Sequence, residues 1–374
     1  MLIYYLLLAG SIGLGLVLNR NKFKHGKLFY CIIIGIALFV ISAIRSHVGY
    51  DYNMYATRFY EMNFSSLDKL SHSERMEKGF IIPIKLLSDL FISYQPMFVA
   101  VAFIIAAGVT IYLYRGSEKP WIGVTAFLML GLYFNSMNFL RQFVAAIVVM
   151  YALKYIQKNQ FMRYAALILL ATCFHISAFI MIPFFFILKI KMEWITLGIY
   201  TAILTVSLVF SYPIINLITQ YIYKGYDLET NVEIMNGLPI GYTIGFLVFF
   251  LLAFLFRKPL VAKNPFHVIS INCLYFTVFF EAIGIKHGVV SRFAILFYLV
   301  PALVLAPDMV MIILEKTRKF FSGSKVQKTA SFAVVSIMLV LSGTIFFQYL
   351  LSKNYNGVLP YQTTFQEQKE EATS

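Results

Sequence analysis

Apolar runs of about twenty residues recur along most of this sequence. A run of that length, folded as a helix, matches the thickness of the hydrocarbon core of a bilayer. We identify such runs at residues 2–18, 28–44, 96–114, 120–137, 139–156, 195–220, 240–256, 266–286, 292–314 and 330–351. The pattern predicts an all-α, polytopic integral membrane protein.

Composition excludes the water-soluble alternatives. Only 13% of the 374 residues are charged, about half the share found in an ordinary globular domain. The chain therefore has too few polar groups to cover a water-facing surface, which rules out a soluble enzyme, a nucleic-acid-binding domain or a disordered chain. The excess of 31 Lys+Arg over 17 Asp+Glu then indicates cationic cytoplasmic loops.

No cofactor or metal site is predicted. The three cysteines lie inside apolar runs and form no CxxC pair, so neither a zinc site nor a disulfide framework is supported. No nucleotide-binding loop is present, and no group of His, Asp or Glu has metal-ligand spacing.

Two stretches are ambiguous as membrane spans. Residues 79–95 are apolar but carry Lys85 and Asp89 one helical turn apart, which favours an interfacial or partly inserted helix over a full crossing. Residues 164–188 are too long for one straight helix and have His175 near their middle, which favours a short hairpin. With these two stretches the chain has about 12 transmembrane or re-entrant segments.

Basic residues in the short loops set the orientation. The loop 20–27 carries four basic residues and no acid, which places it in the cytoplasm. Both termini are then expected outside. Residues 1–352 form a single membrane domain with outer loops at 45–78 and 221–239, and residues 353–374 are expected to be a polar, frayed tail.

Several ionisable residues fall on the outer side of this topology. Such groups cost roughly 2.5–3.5 kcal/mol each inside a membrane, so they usually have a function. Each has a structural alternative: Arg45 and Arg292 can anchor helix ends, Arg141 can bind helix-end carbonyls, and His175 can be a packed core residue. The combination is more informative than any one of them. The set comprises Arg45, Asp51, Arg141, His175, Glu281 and Arg292, with Lys286 and His287 shortly before Arg292.

Three arginines with few fixed acids nearby predict a receptor for pyrophosphate. Guanidinium groups bind phosphate oxygens bidentately and stay charged at any relevant pH. A lipid-linked pyrophosphate presents its charge at this depth in the membrane. Arg45, Arg141 and Arg292 are therefore the candidate pyrophosphate ligands.

Four short motifs resemble those of one protein family. Residues 43–55 are similar to the Arg-x-x-x-Gly-x-Asp-Tyr-x-x-Tyr signature of EpsG-like proteins, which are Wzy-type polysaccharide polymerases. The segments 77–80, 137–145 and 174–178 resemble the family's Glu-x-Gly-Phe, Asn-x-x-Arg-Gln-x-hydrophobic-Ala and Phe-His-x-Ser-Ala motifs. Arg292-Phe293 falls where the family often has an Arg-aromatic pair. The motifs follow the family order over roughly residues 40–300.

The resemblance implies a metal-independent membrane glycosyltransferase with a GT-C-like architecture, located in the bacterial cytoplasmic membrane. Such proteins join oligosaccharide repeat units carried on undecaprenyl pyrophosphate at the outer face of that membrane, often with a chain-length regulator as a protein partner. Undecaprenyl pyrophosphate is the leaving group, and no nucleotide sugar is used. The glycan can be O-antigen, capsule or exopolysaccharide.

Candidate roles follow from the residues and the resemblance together. The acceptor hydroxyl needs a general base, for which Asp51, Glu77 and His175 are the candidates. Tyr52, Tyr55 and Gln142 are weaker candidates for sugar contacts, since the tyrosines can equally belong to an interfacial aromatic belt.

Two other functions stay open at this stage. A flippase or transporter of lipid-linked oligosaccharide would also need arginines for the pyrophosphate, although no clear internal repeat is visible. A membrane acyltransferase that modifies surface glycans would need a catalytic histidine on the cytoplasmic side or at the midplane, whereas His175 is expected outside.

Overall fold

The computed structural model describes residues 1–18, 24–63, 76–213, 240–320 and 325–366. These residues are almost entirely helical. The α-helices are α1 (Leu2–Leu18), α2 (Gly26–Ala43), α3 (Tyr52–Asn63), α4 (Lys78–Leu90), α5 (Gln95–Gly116), α6 (Pro120–Met129), α7 (Leu132–Asn138), α8 (Leu140–Ala152), α9 (Lys154–Gln157), α10 (Phe161–Phe174), α11 (Met181–Ile187), α12 (Trp194–Val209), α13 (Ile240–Leu255), α14 (Arg257–Lys263), α15 (His267–Gly284), α16 (Gly288–Ser291), α17 (Ala306–Phe320) and α18 (Lys325–Lys353).

Other regular elements in the described residues are short. Two 3₁₀ turns cover Ile176–Ile180 and Arg292–Leu296, and a π-helical turn covers Pro301–Leu305. Strands β1 (Arg45–Ser46) and β2 (Gln362–Thr363) pair antiparallel, with Arg45 opposite Thr363.

The structure confirms a helical, multi-pass membrane protein, but it does not confirm about 12 segments. Among the described residues, four helices are long and apolar enough to cross a membrane: α2, α5, α15 and the Ser336–Lys353 part of α18. The number rises to seven if each of three bent helix pairs counts as one span. The predicted outer loop 221–239 and the end of the predicted span 195–220 lie outside the described residues.

The stretch 164–188 is a hairpin, as predicted. Helix α10 ends at Phe174, and His175 takes an extended backbone conformation before the chain turns back. The two arms pack antiparallel: the Tyr164 hydroxyl donates to the Met181 carbonyl at 2.5 Å, and the Phe161 and Phe185 rings lie 5.1 Å apart. His175 is therefore at the tip of the hairpin.

Helix α4 occupies the other ambiguous stretch. It has 13 residues and is not among the candidate spans, because at 1.5 Å per residue it covers only about 20 Å. Lys85 and Asp89, one turn apart, form an ion pair on one face of the helix. The prediction of a helix that does not cross fully agrees with this geometry.

The prediction of a frayed tail is wrong for residues 353–366. Val358 is buried, its carbonyl accepts a hydrogen bond from the Tyr4 hydroxyl at 3.1 Å, and the Gly357 carbonyl accepts from the Gly49 amide at 2.8 Å. The pairing of β1 with β2 continues the same contact. Since the chain's polarity in this segment serves loop-to-loop hydrogen bonds, composition alone could not distinguish it from a free end.

The functional residues collect at one end of the helix bundle. Helix α10 ends there and α8 begins there, because Glu77 contacts both Arg141 and the Ile176 amide. The Arg292 turn and the segment after α18 also lie at this end. We call it the site end. The basic residues Lys154, Lys189 and Arg257 belong to the opposite ends of these or neighbouring elements.

Candidate active site

Arg141 and Glu77 form an ion pair at the site end. The distance between Arg141 Nη1 and Glu77 Oε2 is 2.5 Å, and both side chains are more than four-fifths buried. The second carboxylate oxygen of Glu77 accepts a hydrogen bond from the Ile176 amide at 2.8 Å. Glu77 thus connects the start of α4, the start of α8 and the hairpin tip.

A glycine permits this close approach. A Cβ atom on Gly79 would lie 2.5 Å from the carbonyl oxygen of Cys173, which is closer than any side chain can approach a backbone atom. Only glycine therefore lets the start of α4 rest against the end of α10. This explains in physical terms why the Glu-x-Gly segment matters for the position of Glu77.

Gln142 links the hairpin to the Arg292 turn. Its Nε2 donates to the Arg292 carbonyl at 2.6 Å and to Ser177 Oγ at 3.3 Å, and the side chain is buried. With its amide committed inside the protein, Gln142 holds the site together, and the predicted sugar contact is not supported by its position.

Arg292 is the cation of the site without an anionic partner in the described residues. Its guanidinium lies 5.4 Å from the centre of the Phe139 ring. Among the described residues it forms no ion pair, and its side chain donates no hydrogen bond. An anionic ligand can therefore reach it without breaking an internal salt bridge.

Asp51 lies within electrostatic reach of both arginines. Burial raises the pKa of its carboxyl above the usual value, and the charges of Arg292 and Arg141 oppose that rise. The Asp51 amide donates to Asn138 Oδ1 at 3.0 Å. No side chain in the described part of the chain donates a hydrogen bond to its carboxylate, which is free to accept one from a ligand.

His175 faces the same group of charges. Its ring lies in the electrostatic range of Glu77, Arg141 and Arg292. The Ser177 amide donates to Nδ1 at 3.2 Å, and Ser177 Oγ lies 2.8 Å from the same atom. Because Nδ1 accepts a hydrogen bond, the neutral ring carries its proton on Nε2. That nitrogen is a donor in this tautomer.

Arg45 does not join the cluster. It is 1% exposed, its Nη1 lies 3.4 Å from Ser42 Oγ, and its guanidinium lies 5.2 Å from the Phe98 ring centre. Among the described residues it forms no ion pair. A buried guanidinium enclosed by aromatic rings cannot reach a ligand, so the structure does not support its prediction as a pyrophosphate ligand.

The two predicted tyrosines are also enclosed. Tyr52 is 1% exposed and stacks on Phe98 with ring centres 4.2 Å apart, so neither face is free for a sugar. Tyr55 is buried as well, and its hydroxyl lies 3.5 Å from Arg141 Nε. Tyr55 positions Arg141, and a stacking role for either tyrosine is not supported.

The site differs from the prediction in its charge balance. Arg141 is neutralised by Glu77, and Asp51 lies near both arginines, whereas three arginines with few acids were expected. The two carboxylates balance the two arginines when both are ionised, and Arg292 is the arginine that no carboxylate contacts directly in the described residues. A bound pyrophosphate must share Arg141 with Glu77.

Sequence reasoning missed several residues of the site end. Asn138 Oδ1 accepts a hydrogen bond from the Asp51 amide. Asn138 Nδ2 lies 3.5 Å from Asn356 Oδ1. Asn138 belongs to a family motif, which is a signal that could have been used. Asn356 follows α18 in the segment taken for a tail, and no sequence pattern marks it.

No metal centre is visible in the residues that the structure covers. Among them, no three His, Cys, Asp or Glu side chains come together in a way that could hold a metal ion.

The fold and the site define a helical membrane protein with a compact group of arginine, carboxylate and imidazole side chains at one end of its bundle. The model of the EpsG family matches residues 28–363, and the chain belongs to this family of Wzy-like polymerases. The resemblance predicted from the motifs is thereby confirmed. Searches of curated proteins and of solved structures each find no match.

Proposed function

We propose that this protein is a polysaccharide polymerase that joins repeat units carried on undecaprenyl pyrophosphate. The convergence of Arg141, Arg292 and Asp51 from separate elements carries the proposal. Family membership supports the same class of function. The pair of arginines suits a diphosphate, and the free carboxylate suits a sugar hydroxyl.

The arginines act on the leaving group. Arg292 and Arg141 bind the donor pyrophosphate and stabilise the negative charge that grows on it as the anomeric C–O bond breaks. The acceptor oxygen forms the new bond to the anomeric carbon, and undecaprenyl pyrophosphate leaves with the electron pair. An in-line displacement of this kind inverts the anomeric centre.

Asp51 is the best-placed general base of the three candidates. Both oxygens of Glu77 are engaged, one by Arg141 and one by the Ile176 amide. His175 offers Nε2–H, which is a donor. Asp51 alone has a carboxylate free to take the proton of the acceptor hydroxyl, while His175 donates a hydrogen bond to a substrate oxygen.

The reaction takes place on the extracytoplasmic side of the cytoplasmic membrane. The site end lies opposite the helix ends that carry Lys154, Lys189 and Arg257, and clusters of Lys and Arg mark the cytoplasmic side. Lipid-linked repeat units become available to the site only after they have crossed the membrane.

Chain-length analysis of the surface glycan tests the proposal. Cells that lack this protein, complemented with Arg292→Ala, should carry single repeat units and no ladder of longer chains. Arg163→Ala is the control, because Arg163 is exposed and its side chain contacts only Gln160 among the described residues; it should restore the ladder. A normal ladder with Arg292→Ala contradicts the proposal. Loss of single units from the surface favours a flippase instead.

A further inference from the structure

A small internal cavity opens beside Arg292 at the site end. Its volume is about 80 Å³. It lies between helices α7, α13 and α15, the Arg292 turn and the segment after α18. Its polar lining includes Asn135, Tyr242, Glu281, Ser291, Arg292 and Asn356.

Glu281 is the unusual member of this lining. It is 3% exposed, and its Oε2 accepts no hydrogen bond from the residues that the structure describes. A buried polar oxygen without a partner is costly, so this atom indicates a ligand that supplies a donor. Neither the proposed leaving-group chemistry nor the proposed base uses it.

The lining chemistry selects the kind of ligand. A carboxyl oxygen accepts hydrogen bonds from hydroxyl groups, whereas the oxygens of a pyrophosphate are themselves acceptors and offer it no donor. The Asn135 amide nitrogen donates to the Tyr242 hydroxyl at 3.0 Å and to the Tyr298 hydroxyl at 3.4 Å, and the Tyr242 hydroxyl donates to the Leu130 carbonyl at 3.2 Å. Within the described residues Asn135 Oδ1 accepts no hydrogen bond, so it is a second acceptor in this wall. Two acceptor oxygens, with aromatic rings in the same lining, suit the hydroxyl groups along the edge of a sugar ring.

The position of the cavity fits the acceptor. Arg292 belongs both to this lining and to the cluster that contains Asp51. A sugar held here therefore lies next to the proposed donor pyrophosphate. Because the space is small, only the edge of one ring can enter, and the rest of the glycan must extend through the mouth.

We infer that this cavity is the acceptor subsite and that Glu281 binds a hydroxyl of the terminal sugar of the acceptor. The inference rests on the proposed polymerase function. Glu281 is a binding residue here, and the proton of the reacting hydroxyl goes to Asp51.

The test separates the acceptor from the donor. Purified protein in lipid vesicles is given the lipid-linked repeat unit as donor and a lipid-free glycan of the same repeat unit as acceptor. Glu281→Leu removes the acceptor oxygen and should raise the KM for the lipid-free glycan roughly tenfold, the effect expected when a buried hydrogen bond is lost. Glu281→Gln keeps an acceptor oxygen and should raise this KM by a smaller factor. The affinity for undecaprenyl pyrophosphate should stay unchanged in both.

Thr277→Val is the matched control. Thr277 lies one turn before Glu281 on α15, is buried, and bonds only to the Cys273 carbonyl of its own helix in the described residues. The KM of Thr277→Val for the lipid-free glycan should equal that of the wild type. The melting temperature of Glu281→Gln should not fall, because the amide has the shape of the carboxyl group and Oε2 has no partner to lose in the described residues.

Each other outcome has one meaning. An unchanged KM in both Glu281 variants, or an equal loss of affinity for undecaprenyl pyrophosphate, overturns the inference. A wild-type protein that forms no glycosidic bonds under these conditions contradicts the proposed function itself.

Discussion

The guanidinium of Arg141 and the carboxylate of Glu77 are joined by a 2.5 Å contact between Nη1 and Oε2, across 64 residues of sequence. The pair joins the start of α4 to the start of α8. A pyrophosphate that binds Arg141 approaches the negative charge of Glu77, so the two side chains have opposite effects on its affinity.

The first prediction follows from the opposite effects of these two charges on pyrophosphate affinity. Glu77→Gln should bind undecaprenyl pyrophosphate about tenfold more tightly, because a nearby like charge is removed. Arg141→Gln should bind it more weakly and lower turnover by about 10²–10³-fold, the cost of losing one donor to a developing anion. Ligand titration of the two purified variants checks this. A change of the same sign in both variants would show that the pair has only a structural role.

Gly79 gives a second prediction. Gly79→Ala places a methyl group against the Cys173 carbonyl and must push α4 away from the hairpin. Glu77 is paired with Arg141, so a displacement of Glu77 by about 1 Å also misplaces that arginine. We expect polymerisation to fall roughly 10²-fold as a result. The length distribution of the glycan measures the effect.

Gly198→Ala is the control for this substitution. No atom lies within 4 Å of a Cβ at Gly198 in α12, so the change should be neutral or stabilise the helix by about 0.5–1 kcal/mol. Normal chains from Gly79→Ala would mean that the contact between α4 and the hairpin is not needed for the position of Glu77.

The third prediction concerns Arg45. Since its guanidinium is buried against Phe98 and Tyr52, Arg45→Ala should lower stability by roughly 2 kcal/mol or more, the size of a desolvated cation–π contact. The folded fraction of the Arg45→Ala variant should bind undecaprenyl pyrophosphate with wild-type affinity. Thermal unfolding in detergent, paired with the titration, tests both parts. A loss of affinity for undecaprenyl pyrophosphate with unchanged stability would mean that Arg45 binds the ligand after all.

The fourth prediction is a pH profile. The general base must be deprotonated, and burial raises the pKa of Asp51. Activity should therefore fall as the pH drops through that raised pKa, at a higher pH than an ordinary aspartate with a pKa of about 3.9 would give. The pH dependence of kcat/KM in vesicles measures this limb.

Two variants show which residue causes the fall in activity at low pH. Asp51→Asn should be inactive at every pH. His175→Gln should keep the limb, because an amide can replace the Nε2–H donor and does not titrate. Disappearance of the limb in His175→Gln would identify histidine as the base.

Much of the fold class was accessible from sequence, because apolar runs of membrane length are a direct consequence of the bilayer. The hairpin at His175 could be predicted from length and charge placement. The number of spans could not, since three helix pairs bend by 52° to 72° at short breaks and their apolar runs look continuous in sequence.

The site was predictable where ionisable residues were out of place in an apolar chain. Arg141, Arg292, Asp51, Glu77 and His175 all belong to one cluster. Arg45 was grouped with them because sequence does not show whether a helix-end arginine points to a ligand or into aromatic rings. The contacts of Asn356 depend on a distant segment that folds back, which no local pattern reveals.

Reconstitution tests the central claim most directly. Purified protein in lipid vesicles, supplied only with the undecaprenyl-pyrophosphate-linked repeat unit, should form a ladder of glycan chains and release one undecaprenyl pyrophosphate for each new linkage, and Arg292→Ala should do neither. Repeat units that stay single, or that cross the bilayer without forming linkages, would contradict the account.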